Sequence, residues 1–187
     1  TNTPFELIPV NFAVGEHKSP EYLAKHQPFG QIPSFWDGDF HVFESRAIAR
    51  YIASKANSPL YPTDLKKRAI VEQWISVEQS NSKPIEEAVV EFYFKPIFYQ
   101  TPGDESKLPD FNTRLDKLFS IIDGELAKTG PYLTGEEVSL ADLFYLPYIT
   151  YLLATQQFST VLDKHAHVKK WWDLISNLPS WKKAIAM

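Results

Sequence analysis

A short stretch, residues 30–52, constrains the fold of this chain more than any other. Two apolar runs flank Asp37 and Gly38, and an Asp-Gly pair between such runs is a strong signal for a β-hairpin. Pro33 enters the first run, where a residue without an amide hydrogen suits the start of a strand or the edge of a sheet. The sequence therefore predicts a hairpin over residues 32–43.

A helical pattern follows the predicted hairpin directly. Ser45 is a good N-cap, and apolar residues then recur at helical spacing: Ala47, Ile48, Tyr51 and Ile52. A helix N-terminus binds carboxylates, while Glu44 supplies a negative charge beside it, so the pair suits the zwitterionic end of an α-amino acid. The alternative is that Ser45 only caps the helix and Glu44 only complements the helix dipole.

Composition excludes several classes of function. The net charge of −4 argues against nucleic acid or an anionic membrane as the main partner, and no apolar run is long enough to span a bilayer. The chain has no cysteine, which excludes disulfides and thiolate metal ligands within these residues. His165 and His167 have no companion carboxylate cluster in the sequence, so we interpret them as solvated surface and predict no metal site.

The pattern changes along the chain from mixed to helical. Residues 5–10 alternate as a short strand, and Ser19 with Pro20 predicts a short helix start. Residues 57–63 contain two prolines and read as a linker. We predict a first domain over residues 1–56, the linker over 57–63, and an all-helical domain over 64–187.

The predicted helical domain carries several local signals. A long helix starts near Asp64 and is kinked or split at Pro84, and an amphipathic stripe runs along residues 111–126 to a stop at Gly130. Ser139 and Asp142 form a capping box for a helix in which Pro147 predicts a kink. Two short tryptophan-rich helices are predicted over residues 168–175 and 179–187.

These motifs resemble a known family. Gly-Gln-Ile-Pro at 30–33, the hairpin, and Phe-Glu-Ser-Arg-Ala-Ile at 43–48 are similar to the glutathione-binding half of the cytosolic glutathione transferases, most of all the phi class of plants and fungi. Tyr-Leu-Thr-Gly at 132–135 before Ser-Leu-Ala-Asp at 139–142 resembles the folding signature of that family's helical domain. The resemblance implies a thioredoxin-like α/β domain, here incomplete, followed by an all-α domain.

The resemblance also implies binding roles for glutathione as co-substrate. Glu44 and Ser45 would hold the γ-glutamyl amino and carboxylate groups, and Pro33 would be a cis-proline that turns the backbone of Ile32 toward the cysteinyl part. The glutathione-binding residues implied are His17, Lys18, Gln31, Ile32, Pro33, Glu44 and Ser45. Without the family match, His17 and Lys18 would be read as a solvated loop and Pro33 as a trans strand entry.

The resemblance implies an apolar electrophile as the second substrate, bound in a pocket walled by aromatic residues. The candidates are Phe92, Tyr93, Phe94 and Phe98, together with Tyr99, and the alternative for most of them is core packing. The family also implies a cytoplasmic, detoxifying homodimer, in which Arg46 and Arg50 of one subunit could face Glu72 and Glu78 of the other. Glutathione-dependent peroxidase activity is a further possibility for the same family.

The catalytic residue implied by the family is a serine just after the first strand, whose hydroxyl favours the glutathione thiolate. Residues 5–10 match the second strand of the family, so no serine of this chain is assigned the role, and neither Ser19 nor Ser34 is promoted into it. We therefore expect the natural protein to carry a further strand, a serine-bearing turn and a helix upstream of Thr1. The alternative is a short form whose missing strand comes from a partner and which lacks transferase activity.

Three functions remain open at this point: a glutathione transferase, a module that binds glutathione or hydrophobic ligands without turnover, and an assembly module like the transferase-like domain of the elongation factor gamma subunit. Gln31, Glu44 and Ser45 favour the first two, because an assembly module has no need of them. Retention on glutathione-agarose separates the third from the others, and turnover separates the first from the second.

Overall fold

The computed structural model describes residues 3–186 of the chain. Thr1, upstream of which we expect the catalytic serine, lies outside the described residues. The chain divides into two compact units, whose boundary falls between Asp64 and Leu65. Each unit has its own architecture and is treated by itself below. Among the described residues, no helix combines the length and the apolar character that crossing a bilayer requires.

The first unit contains a two-stranded antiparallel sheet and short helices. Its elements are a 3₁₀ turn at Glu16–Lys18, α1 at Pro20–Lys25, β1 at Ser34–Asp37, β2 at Phe40–Phe43 and α2 at Ser45–Lys55. Ser34 pairs with Phe43 and Asp37 with Phe40, which confirms the predicted hairpin. The loop is Gly38 and Asp39, one residue later than expected, and Gly38 has the positive φ of 63° that such a turn needs at its first position.

The two helix starts of this unit turned out differently. Ser19 caps α1 as predicted, because its Oγ accepts a hydrogen bond from the Tyr22 amide at 3.1 Å. The prediction that Ser45 caps α2 is wrong, since Glu44 occupies the N-cap position and Ser45 is the first helical residue. The reason is that the carbonyl of Glu44 already accepts the first helical bond, from the Ile48 amide at 2.9 Å.

The strand predicted at residues 5–10 is also wrong, because these residues form no regular secondary structure and belong to no sheet. Phe5, Leu7 and Ile8 expose 66%, 66% and 75% of their surface. A strand needs a hydrogen-bonded neighbour, and in the described chain β1 and β2 pair only with each other. An alternating pattern cannot supply that neighbour by itself.

The second unit is helical. Its elements are α3 at Leu65–Asn81, α4 at Lys83–Val89, α5 at Lys95–Tyr99, α6 at Leu108–Thr129, α7 at Leu140–Leu143, α8 at Leu146–Ala154, α9 at Ala166–Ser176 and α10 at Pro179–Ile185. The predicted stripe on α6 is confirmed, since Leu115, Phe119 and Ile122 are among its fully buried side chains. Helix α6 packs against α4 and α9.

Prolines divide the helices of this unit. The helix is interrupted at Ser82, so α3 and α4 are separate helices, with Pro84 in the first turn of α4. A π-helical turn, Val90–Phe94, joins α4 to α5. At Pro147 the structure shows two helices rather than the predicted kinked one, because Pro147 lies in the first turn of α8, where its missing amide hydrogen costs nothing. The two predicted tail helices are present as α9 and α10, but α10 ends at Ile185, before the predicted end at Met187, which lies outside the described residues.

The interpretation of His165 as solvated surface is wrong, although His167 is indeed exposed. His165 is 5% exposed, because its ring packs beside that of Phe119, with centroids 5.9 Å apart. The sequence pattern does not show this contact, which joins the start of α9 to the middle of α6. His167 lies at the surface, where its Nδ1 is 3.1 Å from Oδ2 of Asp123.

One buried carboxylate, that of Asp142, connects three segments of the second unit. Its Oδ1 accepts hydrogen bonds from the Leu133 amide at 2.9 Å and from Nε1 of Trp171 at 3.0 Å. Its Oδ2 accepts from the amide and the hydroxyl of Ser139, at 2.8 and 2.9 Å, which confirms the capping box. Burial raises the pKa of Asp142 in spite of these four donors. The four hydrogen bonds therefore offset part of the cost of burying the ionised carboxylate.

We expect Asp142→Ala to destabilise the protein far more than Ser139→Ala. The Asp142 change leaves three buried N–H donors without a partner, at about 1–3 kcal/mol each. The Ser139 change removes one hydroxyl from the cap, which costs about 1 kcal/mol. Urea denaturation of both variants measures the difference. Equal losses would show that Leu133 and Trp171 do not depend on the carboxylate.

Candidate functional site

The residues predicted to bind glutathione meet at the open end of the hairpin in the first unit. Because Ser34 pairs with Phe43, the segment entering β1 and the segment leaving β2 lie side by side at that end. The first segment holds Gln31, Ile32 and Pro33, and the second holds Glu44 and Ser45. The register therefore brings together two stretches that are separated by the whole hairpin in sequence.

The peptide bond between Ile32 and Pro33 is cis, as predicted. The ladder of the hairpin begins only at Ser34, so Ile32 stands outside it. Ile32 is 51% exposed, and its main-chain groups form no hydrogen bond within residues 3–186. An exposed, unpaired main chain can pair with an extended peptide in the way that a strand does.

Gln31 is held in place by two residues that sequence reasoning did not identify as part of the site, Gln27 and Tyr22. Oε1 of the buried Gln27 accepts hydrogen bonds from the amides of Phe29 and Gln31, at 2.6 and 3.2 Å. The Tyr22 hydroxyl donates to the Gln31 carbonyl at 2.9 Å. The signal available in the sequence was the position of Gln27, directly before Pro28 and three residues before Gly30.

A glycine brings the 3₁₀ turn with His17 and Lys18 close to Gln31. Gly30 has a φ of 63°, and a Cβ built there would lie 2.7 Å from both the His17 carbonyl oxygen and Cδ of Lys18. Nζ of Lys18 donates to the Phe29 carbonyl at 3.1 Å, and the ring of His17 stacks on that of Phe12 at 4.2 Å. A side chain at position 30 would separate these elements.

Glu44 and Ser45 are exposed at the start of α2. Neither side chain forms a hydrogen bond or an ion pair with the rest of the described chain. Glu44 has a φ of 74°, a conformation that non-glycine residues adopt rarely and that concentrates at ligand-binding positions. The strand therefore passes to the helix in a single residue, with the carboxylate and the free N–H groups of α2 next to each other.

The serines near this site have other partners. The Ser19 hydroxyl caps α1, and the Ser34 hydroxyl donates to the His26 carbonyl at 3.2 Å and lies 2.8 Å from Nε2 of His41. These contacts agree with leaving both serines out of the catalytic role. The serine expected upstream of Thr1 lies outside the described residues, so that expectation stays a prediction.

In the second unit, the aromatic residues proposed for a substrate pocket differ in exposure, since Phe92 is buried and the others are not. Phe92 is only 8% exposed and packs edge-to-face on Phe111 and Phe158, with centroids 6.1 and 5.6 Å apart. The prediction that Phe92 forms a pocket wall is therefore corrected, because the ring belongs to the core. Tyr99 is 76% exposed, so core packing does not account for it.

The remaining candidates form a surface cluster with a residue that the sequence did not indicate. Tyr93 and Phe94 lie 4.8 and 5.1 Å from the ring of Tyr151 on α8, and Phe98 lies 5.7 Å from Phe94. Phe98 is 65% exposed. We call Tyr93, Phe94, Phe98 and Tyr151 the aromatic surface. Its rings are within the distance at which aromatic side chains attract one another.

Two family models match the chain. The model described as the glutathione S-transferase N-terminal domain matches residues 1–54, and the one described as the C-terminal domain matches residues 83–179. Among curated proteins, glutathione S-transferase F9 of Arabidopsis thaliana is 38% identical over 186 residues, which cover 97% of this chain and 85% of the relative.

Solved structures give the same result. Glutathione transferase F7 from Populus trichocarpa has a TM-score of 0.91 and 39% identity, and the match covers 99% of this chain and 87% of that one. Glutathione S-transferase I from mais, solved in complex with an atrazine glutathione conjugate, has a TM-score of 0.86 and 36% identity, with 97% and 84% of the two chains covered. The fold, the matched domains and these phi-class relatives show that the chain belongs to the glutathione S-transferase family of transferase enzymes.

Proposed function

We propose that this protein binds glutathione at the open end of the hairpin and conjugates it to apolar electrophiles. We call the binding residues the hairpin-end site; they are His17, Lys18, Gln31, Ile32, Pro33, Glu44 and Ser45. The observation that carries the proposal is the junction of β2 and α2, where an exposed carboxylate stands next to the free N–H groups of a helix. That pair complements the ammonium and carboxylate of a γ-glutamyl group.

The rest of the peptide would follow the exposed main chain. The cysteinyl part of glutathione would pair with the main chain of Ile32, and Gln31 would offer its amide groups to the same peptide. Lys18 and His17 would meet the glycine carboxylate, with Lys18 providing the positive charge. The close approach of this turn to Gly30 supports the assignment, because it places the positive charge of Lys18 near Gln31.

The electrophile would be received by the aromatic surface of the second unit. Conjugation joins the cysteinyl sulfur to an electrophilic carbon, displaces a leaving group such as chloride and releases the thiol proton. The atrazine conjugate bound by the relative from mais supports an apolar, aromatic substrate class. We place no thiol-activating serine among the described residues. Peroxidase activity and a cytoplasmic detoxification role are further proposals that rest on the family alone.

Two assays together test the proposed function. Retention on glutathione-agarose followed by elution with free glutathione tests binding, and turnover of chlorodinitrobenzene tests conjugation. The proposal expects both. Binding without turnover would favour the alternative of a non-catalytic glutathione-binding or hydrophobic-ligand-binding module, and failure to bind would favour an assembly module.

We expect Ser45→Ala to weaken glutathione binding by about 1.5–3 kcal/mol, because the substitution removes a hydrogen bond to a charged carboxylate. The matched control is Ser54→Ala, which makes the same change on an exposed residue near the other end of α2. Isothermal titration calorimetry measures both affinities. Unchanged affinity in Ser45→Ala would remove Ser45 from the site.

We also propose that the protein is a homodimer, as the family resemblance implies. Glu78, one of the acidic residues considered for ion pairs across the interface, is only 2% exposed and so cannot form a solvent-exposed pair there. Glu72, Arg46 and Arg50 are less buried and stay candidates. Light scattering at micromolar concentration is expected to give twice the mass of the chain. A monomer mass would refute the proposal.

A further inference from the structure

The carboxylate of Glu91 holds both ends of the segment that connects the π-helical turn to α6. Glu91 is 8% exposed and lies in that turn, just before α5. Its Oε1 accepts from Nζ of Lys95 at 2.6 Å and from the Asp104 amide at 2.9 Å, and its Oε2 accepts from Nζ of Lys107 at 2.6 Å. We call residues 100–107 the strap. Glu91 thus binds α5 at its first residue and the strap near its end.

Glu91 carries its negative charge at ordinary pH. Hydrogen bonds from Lys107, Lys95 and the Asp104 amide lower the pKa of Glu91 to about 2. The carboxylate is therefore ionised throughout the physiological range, and both lysines keep their partner. Charge-assisted bonds of this kind are stronger than neutral ones.

A second contact fixes the strap independently of charge. A Cβ built on Gly103 would lie 2.5 Å from Cδ1 of Phe92 and 3.0 Å from the Glu91 carbonyl oxygen. The strap therefore packs against the π-helical turn at a position where only glycine fits. Phe92 is itself held in the core by Phe111 and Phe158, so the strap rests on a fixed ring.

The segment between these anchors carries part of the aromatic surface. Helix α5 continues the π-helical turn without interruption and leads directly into the strap, so the position of its C-terminal end depends on where the strap is held. Phe98 lies on α5 and is mostly exposed, with the ring of Phe94 as its aromatic neighbour. Phe94 in turn belongs to the same π-helical turn as Glu91.

We propose that Glu91 is a positioning residue for the second substrate: by closing the strap on α5, it fixes Phe98 against Phe94 and so sets the shape of the aromatic surface. This inference rests on the proposed function for its substrate, since it assumes that the aromatic surface receives the electrophile. The closure of the strap itself does not depend on that assumption.

Glu91→Gln tests the proposal, because the amide keeps the size of the side chain and removes both ion pairs. Glu86→Gln is the matched control, since Glu86 lies on α4 and its side chain forms no hydrogen bond or ion pair in the described chain. Gly103→Ala is a second, independent route, because it moves the strap through packing and leaves every charge in place.

Hydrogen–deuterium exchange of the full chain reads the strap directly. We expect amides in residues 96–107 to exchange at least about ten-fold faster in Glu91→Gln and Gly103→Ala than in the wild type and Glu86→Gln. Steady-state kinetics tests whether the aromatic surface binds the electrophile less well. The KM for chlorodinitrobenzene is expected to rise about five-fold in the same two variants, the size of one aromatic contact, while the KM for glutathione stays unchanged.

The outcomes separate the two parts of the inference. Wild-type protection of the strap in Glu91→Gln would overturn the closure. Faster exchange with an unchanged KM for the electrophile would overturn the positioning role, and so would an equal rise in the KM for glutathione. If the wild type neither binds nor turns over glutathione, the proposed function fails, while exchange still decides whether Glu91 closes the strap. If Glu91→Gln does not fold, Lys107→Gln, which removes the ion pair between Glu91 and the end of the strap, takes its place in both assays.

Discussion

The pairing of Ser34 with Phe43 is the constraint on which the candidate site depends. It aligns the entry to β1 with the exit from β2, so the cis bond before Pro33 and the start of α2 share one end of the hairpin. Because α2 begins immediately after β2, a single residue must turn the chain from strand to helix. Glu44 does so with a positive φ, which leaves its carboxylate exposed beside the helix N-terminus.

Two carboxylates organise the helical unit in contrasting ways. Asp142 is fully buried and accepts four hydrogen bonds, three from main-chain or indole N–H groups and one from a hydroxyl, and burial raises its pKa. Glu91 is almost as buried but faces two lysines, which lower its pKa to about 2. Asp142 joins three buried parts of the core through Leu133, Ser139 and Trp171. Glu91 holds a surface segment against the core, where its loss would change local shape before it unfolded the unit.

Local patterns were sufficient wherever the structure depends on neighbouring residues, as in the hairpin, the cap of α1 and the stripe of α6. They failed where distant partners decide. The segment at 5–10 alternates like a strand but has no described neighbour to pair with, and His165 is buried by a contact with α6. In the site, the family pattern supplied the candidate residues, whereas Glu44 as N-cap and Gln27 as support for Gln31 depend on backbone dihedrals and a buried side chain.

The central claim is that the hairpin-end site recognises the zwitterionic end of glutathione through Glu44 and the start of α2. Isothermal titration calorimetry of the unmodified protein with glutathione and with cysteinylglycine, which lacks the γ-glutamyl group, tests it directly. Losing two charge-assisted contacts should weaken binding of cysteinylglycine by at least about a hundred-fold relative to glutathione. Equal affinities for the two peptides would contradict the account.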